Sequence, residues 1–342
     1  MSLTDPWLLV VIGVLALAAL VVLALGLPRT TRRWTGAVVR GGEGLVLSML
    51  VVTLAAAALN DQYSFYVSWA DLFGATSPST SVQAGGSANT AVTAKAQGPG
   101  FSQFLKIPPS TTGTPVPGMR LQNFAVTGAR SGLRGEVLVY LPAGYDQRSA
   151  RRYPVILALH GFPGNPAVWL NTIHVNTVVD TLEAQHKLAQ SIIVIPQIND
   201  PISVDTECVN APVGKGPQAE TWLAQDVPAW VVSHLRVQTA RTSWAVAGYS
   251  FGGWCAAMLG SRHPDVFGAA VVFQGYFRPD FSAGYNPLPT GSPVARGYDL
   301  VRAVQANPPP LAMWVLTTKA DGLSYPTTAA FLKNVRPPLS VR

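Results

Sequence analysis

The sequence predicts an α/β domain, with a mainly parallel sheet flanked by helices, preceded by an N-terminal transmembrane helical segment. Three observations predict it. From about Leu121 onward, short runs rich in Val, Ile and Leu alternate with longer helical stretches, the pattern of βαβ units. One of those runs, Trp244–Ala247, ends in the glycine-flanked turn Gly248-Tyr249-Ser250-Phe251-Gly252, which leads into an apolar helix. Two long apolar runs stand within the first 60 residues. The 342 residues are 48% hydrophobic and only 12% charged, which is apolar for a soluble protein and fits a membrane segment.

Residues 1–74 read as the membrane region. Trp7–Leu27 is long enough to cross a bilayer, and Gly44–Leu59 is a shorter second run. The aromatic stretch Tyr63, Phe65, Tyr66 and Trp69 suits a membrane–water interface. A cleaved signal peptide is the rival reading of the first run, but Met1–Pro6 holds Asp5 and no basic residue. Arg29, Arg32, Arg33 and Arg40 lie between the runs, so the positive-inside rule puts that loop in the cytoplasm and the C-terminal domain outside it. Residues 75–118, dominated by Ser, Thr, Gly, Ala and Pro, read as a flexible linker. The net charge is +7, yet no basic–aromatic interleaving or zinc-ligand spacing accompanies it, so neither nucleic acid nor a metal is expected.

Residues 119–342 form the α/β domain. Strands are expected at Phe124–Thr127 and Glu136–Leu141 around a turn, then at Val155–Leu159, Ile192–Ile195, Trp244–Ala247, Ala269–Phe273 and Leu311–Leu316. Helices are expected at Val168–His186, Ala219–Leu235, Phe251–Ser261, Tyr298–Gln305 and Tyr325–Val335. Active groups in such a sheet gather at the carboxyl ends of the strands.

Ser250 stands at the tight turn between strand and helix, where its hydroxyl projects beside helix N–H groups that favour a developing anion. It is the expected nucleophile of an acyl-transfer site. Such a site needs oxyanion donors. The backbone N–H of Phe251 is one; the loop His160-Gly161-Phe162-Pro163-Gly164 supplies the other, with Phe162 preferred and Gly161 second. Asp321, just past the strand Leu311–Leu316, is the expected acid, although an aspartate before a glycine is also a common turn pair. Cys208 and Cys255 lie in no CxxC pair, and could be one disulfide or two buried thiols.

With LHGFPG (159–164), DTECVN (205–210), LAQDVPAW (223–230), AVAGYSFGGWCAAML (245–259), RHPDVF (262–267) and TTKADG (317–322), the chain from about Leu121 resembles the α/β-hydrolase superfamily. It is most similar there to the actinobacterial esterases related to esterase D and the antigen 85 mycolyltransferases. The resemblance implies serine-dependent hydrolysis or transfer of a small-molecule or lipid acyl ester, without a cofactor, with Ser250 and Asp321 as triad members. It also implies a Cys208–Cys255 link that pins the 200–216 loop beside the site.

The order implied by the resemblance ends with a histidine after the last strand, here expected from Pro338-Leu339-Ser340-Val341, but no histidine follows His263. His160 reads as a structural residue, and His174, His186 and His234 fall in flanking helices. His263 lies on the order of 15 Å from Ser250, at the far end of a helix rising 1.5 Å per residue. The expectation is a truncated enzyme; the alternative is a membrane-anchored protein that kept the fold and lost turnover.

Overall fold

Eight strands form one sheet in the computed structural model, which describes residues 6–26, 33–63, 109–111, 113–199, 204–212, 214–281, 285–289 and 291–342. They are β1 (Leu121–Thr127), β2 (Arg134–Tyr140), β3 (Val155–Leu159), β4 (Ile192–Pro196), β5 (Trp244–Tyr249), β6 (Ala269–Phe273), β7 (Ala312–Leu316) and β8 (Ser340–Val341). Their order is β1-β2-β4-β3-β5-β6-β7-β8. β1 and β2 form an antiparallel hairpin and β2 also pairs antiparallel with β4; every later pairing is parallel. The hairpin strands begin earlier than their apolar patterns suggested, because the ladder runs unbroken from Leu121↔Tyr140 to Thr127↔Arg134.

The helices of this domain are α3 (Val168–Asn171) and α4 (Val175–Ala184), then α5 in three pieces, Ala219–Thr221, a π-helical stretch Trp222–Asp226 and Val227–His234. Then come α6 (Phe251–Arg262), α7 (Pro293–Gly297), α8 (Leu300–Ala306) and α9 (Ser324–Leu332). The single helix expected over Val168–His186 is two, broken where His174 takes φ 54°. The wider π turn in α5 has a visible purpose. Buried Asp226, its last residue, accepts the backbone N–H groups of Arg130 and Ser131 and so ties the β1–β2 turn to the helix.

Strand side chains alternate between two cores. Val155, Leu157 and Leu159 face one with Trp222, Trp254, Phe277 and Phe331, while Ala158, Ile193 and Ile195 face the other with Trp169 and Leu170. Central strands buried on both faces explain why the sequence there reads as unbroken apolar runs. At β7 this cover stops on one side: Met313 is buried, but Trp314 and Leu316 are 42% and 49% exposed.

β3 fixes where the site must be. After β3 the chain moves to β4 on one side of it; after β4 it crosses to β5 on the other. The carboxyl ends of β3 and β5 therefore flank a switch point, the crevice where parallel sheets bind ligands.

The chain divides into two compact units, Met1–Ala96 and Gln97–Arg342. In the first, α1 (Pro6–Gly26) packs along α2 (Arg33–Tyr63). Trp7–Ala24 and Gly41–Ala58 are long and apolar enough to cross a membrane. The second helix is much longer than its apolar run and takes in Arg33, Arg40 and Tyr63. Phe65, Tyr66, Trp69, Arg29, Arg32 and most of the linker lie outside the described residues.

Candidate active site

Ser250 has φ 54° and ψ −125°, outside the regions a side-chain-bearing residue ordinarily occupies. Three glycines make that turn sterically feasible. A Cβ on Gly248 would sit 1.9 Å from the Gly252 carbonyl oxygen; one on Gly252, 2.3 Å from that of Leu159; one on Gly253, 2.9 Å from that of Phe273. The elbow is thus wedged between β3 and β6. The Ser250 N–H donates to Phe273 O at 2.9 Å, and its side of the turn is exposed.

The loop after β3 packs against this elbow. His160, fully buried, donates from Nδ1 to Gly161 O at 2.7 Å and accepts the Ile198 N–H at Nε2, 3.3 Å away. Burial lowers its pKa to about 4, so the ring is neutral and structural, as its place in the sequence suggested. The Tyr249 ring packs on Gly161, where an added Cβ would come 2.8 Å from its Cε2. Among the described residues the N–H groups of Phe162 and Phe251 have no backbone acceptor. The rings of Phe162 and Phe251 pack with centroids 5.8 Å apart, so the two residues sit side by side at the site.

Asp321 follows β7 and is half-buried. Its Oδ1 accepts the N–H groups of Leu323 and Ser324, each at 3.0 Å, and its Oδ2 accepts the Ser324 hydroxyl at 2.6 Å. The carboxylate therefore organises the first turn of α9. It also reaches toward the elbow: Gln274 Nε2 lies 3.5 Å from Oδ2, and Gln274 follows Phe273, the residue that holds the Ser250 N–H. Gln274 is itself left-handed, φ 46°, with its N–H on Leu316 O at 2.7 Å. One short segment after β6 thus joins the serine turn to the aspartate turn. No periodicity or motif marks Gln274 in the sequence.

Of the five histidines, His160, His234 and His263 have ring partners away from Ser250. His263 Nε2 bonds Glu220 Oε1 at 2.8 Å beside Arg262, and His234 stacks on Trp230. His174 and His186, both with left-handed backbones, flank α4. Among the described residues no imidazole bonds Ser250 or Asp321.

Cys208 and Cys255 form a disulfide, with Cα atoms 5.7 Å apart, so the 205–211 loop is fastened to α6 five residues past Ser250. The sequence did not single out what this loop carries. Glu207, buried to 1%, accepts the Tyr276 hydroxyl at 2.6 Å, and Tyr276 stacks on Trp254.

Residues 129–335 match the Esterase family model, whose description reads "Putative esterase". An uncharacterized protein of Corynebacterium glutamicum is 26% identical over 144 residues, 42% of this chain and 33% of that protein, so the alignment spans about a third of that relative. Among solved structures, a ferulic acid esterase shares 22% identity at TM-score 0.53, covering 65% of this chain and 88% of its own. An S-formylglutathione hydrolase from Agrobacterium tumefaciens shares 18% at TM-score 0.53, covering 65% and 84%. These likenesses show the shared fold, a mostly parallel sheet flanked by helices in the α/β-hydrolase order. With the family model covering more than half of its length, the chain belongs to the Esterase family.

Proposed function

We propose that the protein is a serine-dependent carboxylic ester hydrolase acting through an acyl-enzyme. The backbone of Ser250 carries this reading: a serine held at φ 54° by three glycines serves no packing purpose, and such strain collects at reacting groups. Ser250 Oγ would attack the ester carbonyl carbon. The resulting oxyanion would take the N–H groups of Phe251 and Phe162, and Asp321 would orient a base. Collapse of the intermediate would break the ester C–O bond and expel the alcohol, which leaves with the Ser250 proton; water then cleaves the acyl-enzyme, releasing the acid and returning a proton to Ser250. The substrate class is a small-molecule or lipid acyl ester, in keeping with the ester named for the ferulic acid esterase. Two apolar helices and a buried disulfide support a membrane-tethered, extracytoplasmic enzyme.

A second reading is favoured by one observation. Among the described residues no imidazole bonds Ser250, and a serine hydroxyl without a base is a weak nucleophile. On that reading the chain is a membrane-anchored protein with the fold and without turnover. An acyl or mycolyl transfer to a sugar hydroxyl is the remaining alternative, separated from hydrolysis by whether an added sugar accepts the acyl group.

The experiment is p-nitrophenyl acetate turnover with and without added imidazole, using Ser250→Ala as the background. The esterase reading predicts an imidazole-dependent rate that falls on the order of 10³-fold or more in Ser250→Ala and falls as well in Asp321→Asn. Equal rates in wild type and Ser250→Ala under both conditions would establish the second reading.

A further inference from the structure

Glu207 presents a question that packing alone leaves open. A carboxyl group 1% exposed is costly to bury, and its Oε2 has no hydrogen-bond partner among the described residues. Glu207 and Cys208 are also consecutive non-glycine residues with left-handed backbones, φ 47° and 53°, a conformation side-chain-bearing residues disfavour. Ordinary loop closure needs neither feature.

What these costs maintain is one connected set of contacts. The Glu207 carbonyl accepts the Trp254 indole N–H at 2.9 Å, and its Oε1 accepts the Tyr276 hydroxyl at 2.6 Å. The rings of Trp254 and Tyr276 stack within 4° of parallel. Trp254 belongs to the first turn of α6, and its N–H is bonded to Ser250 O at 3.0 Å. Tyr276 ends the segment whose Phe273 holds the Ser250 N–H and whose Gln274 approaches Asp321. Between them Gly275 presses on the same turn, where an added Cβ would come 2.5 Å from the Gly253 carbonyl carbon. The disulfide fixes the loop to that helix from below.

We infer that Glu207 and Tyr276 are positioning residues for the nucleophile, acting through the Tyr276 hydroxyl to clamp the 273–276 segment against the Ser250 elbow. The inference rests on the esterase reading for its catalytic consequence, but its structural content stands apart from that reading. Burial first, then the charges of Asp205 and Asp280, raise the Glu207 carboxyl well above the usual carboxylate range, against the hydrogen bonds from Tyr276 and the Asp280 backbone, which lower it.

Two readouts on the full chain test it, with Tyr276→Phe, Glu207→Leu and Glu207→Gln compared with wild type. The first is backbone amide exchange by mass spectrometry. Tyr276→Phe and Glu207→Leu should speed exchange on the order of tenfold in peptides covering 249–254 and 273–277, while peptides from β3 and β4 keep their protection. The second is imidazole-assisted ester hydrolysis, where kcat should fall about tenfold with KM within about twofold. Glu207→Gln, which keeps a carbonyl acceptor for the phenol, should recover most of both losses. Unchanged exchange at 249–254 in Tyr276→Phe would overturn the inference. So would loss of protection spread evenly over the domain, or failure of Glu207→Gln to recover any of it. If wild type shows no serine-dependent hydrolysis, the esterase reading fails while the exchange data still decide the clamp.

Discussion

A methyl group on Gly248 would lie 1.9 Å from the carbonyl oxygen of Gly252, a distance no side chain can adjust because both partners are backbone. The same holds for Gly252 against Leu159 O at 2.3 Å. Gly248→Ala and Gly252→Ala must therefore move the elbow itself. Each is expected to remove serine-dependent turnover and to lower stability by several kcal/mol, in the range of overpacked cores or above. Urea unfolding beside ester turnover checks this; an active, stable Gly252→Ala would refute the tight-turn account. These glycines were legible in the sequence because the G-x-S-x-G spacing states a backbone requirement. The 160–164 loop was legible as the place of the second donor, with Phe162 preferred to Gly161, because its glycines and proline end a buried strand.

Among the elements, those with strong apolar runs were the most legible. β3, β6 and the start of β5 stand where their sequences put them, because buried parallel strands require unbroken apolar residues. Helix breaks were not legible: neither His174 nor the π turn at Trp222–Asp226 has a local signal, and the π turn answers a tertiary contact, Asp226 on the β1–β2 turn. The disulfide rested on resemblance, since spacing alone left two free thiols equally possible. It closes a loop with a sequence separation of 47 and, by chain entropy, contributes about 4 kcal/mol. Replacing both cysteines with serine should therefore lower the unfolding free energy by about that amount. It should also loosen the 205–211 loop before the rest of the domain in limited proteolysis. Unchanged stability in the double variant would show that the bridge constrains nothing that the packing does not already hold.

For the whole molecule, acid is the expected weakness, and two buried groups set its direction. His160 is held neutral with a pKa near 4, below its ordinary 6.5, so the folded state binds fewer protons than the unfolded chain between those values. Its contribution is present above pH 6.5 and is lost as the pH falls toward 4, on the order of 3 kcal/mol. Burial alone would push Glu220 upward, but bonds from His263, Arg262 and Tyr298 outweigh it and hold the carboxyl at about 2. Its stabilising share is present above pH 4.5 and disappears between there and pH 2. Urea unfolding should show stability falling first between pH 6.5 and 4, with a shallower slope in His160→Gln; a flat profile across that window would contradict the buried neutral imidazole. A single exposed hydroxyl at the end of β5, that of Ser250, is the proposed reacting group. The most direct measurement is treatment with a fluorophosphonate probe, in the presence of imidazole, followed by peptide mass spectrometry. The account predicts one adduct, on Ser250, absent from Ser250→Ala; no adduct, or one elsewhere that persists in Ser250→Ala, would contradict it.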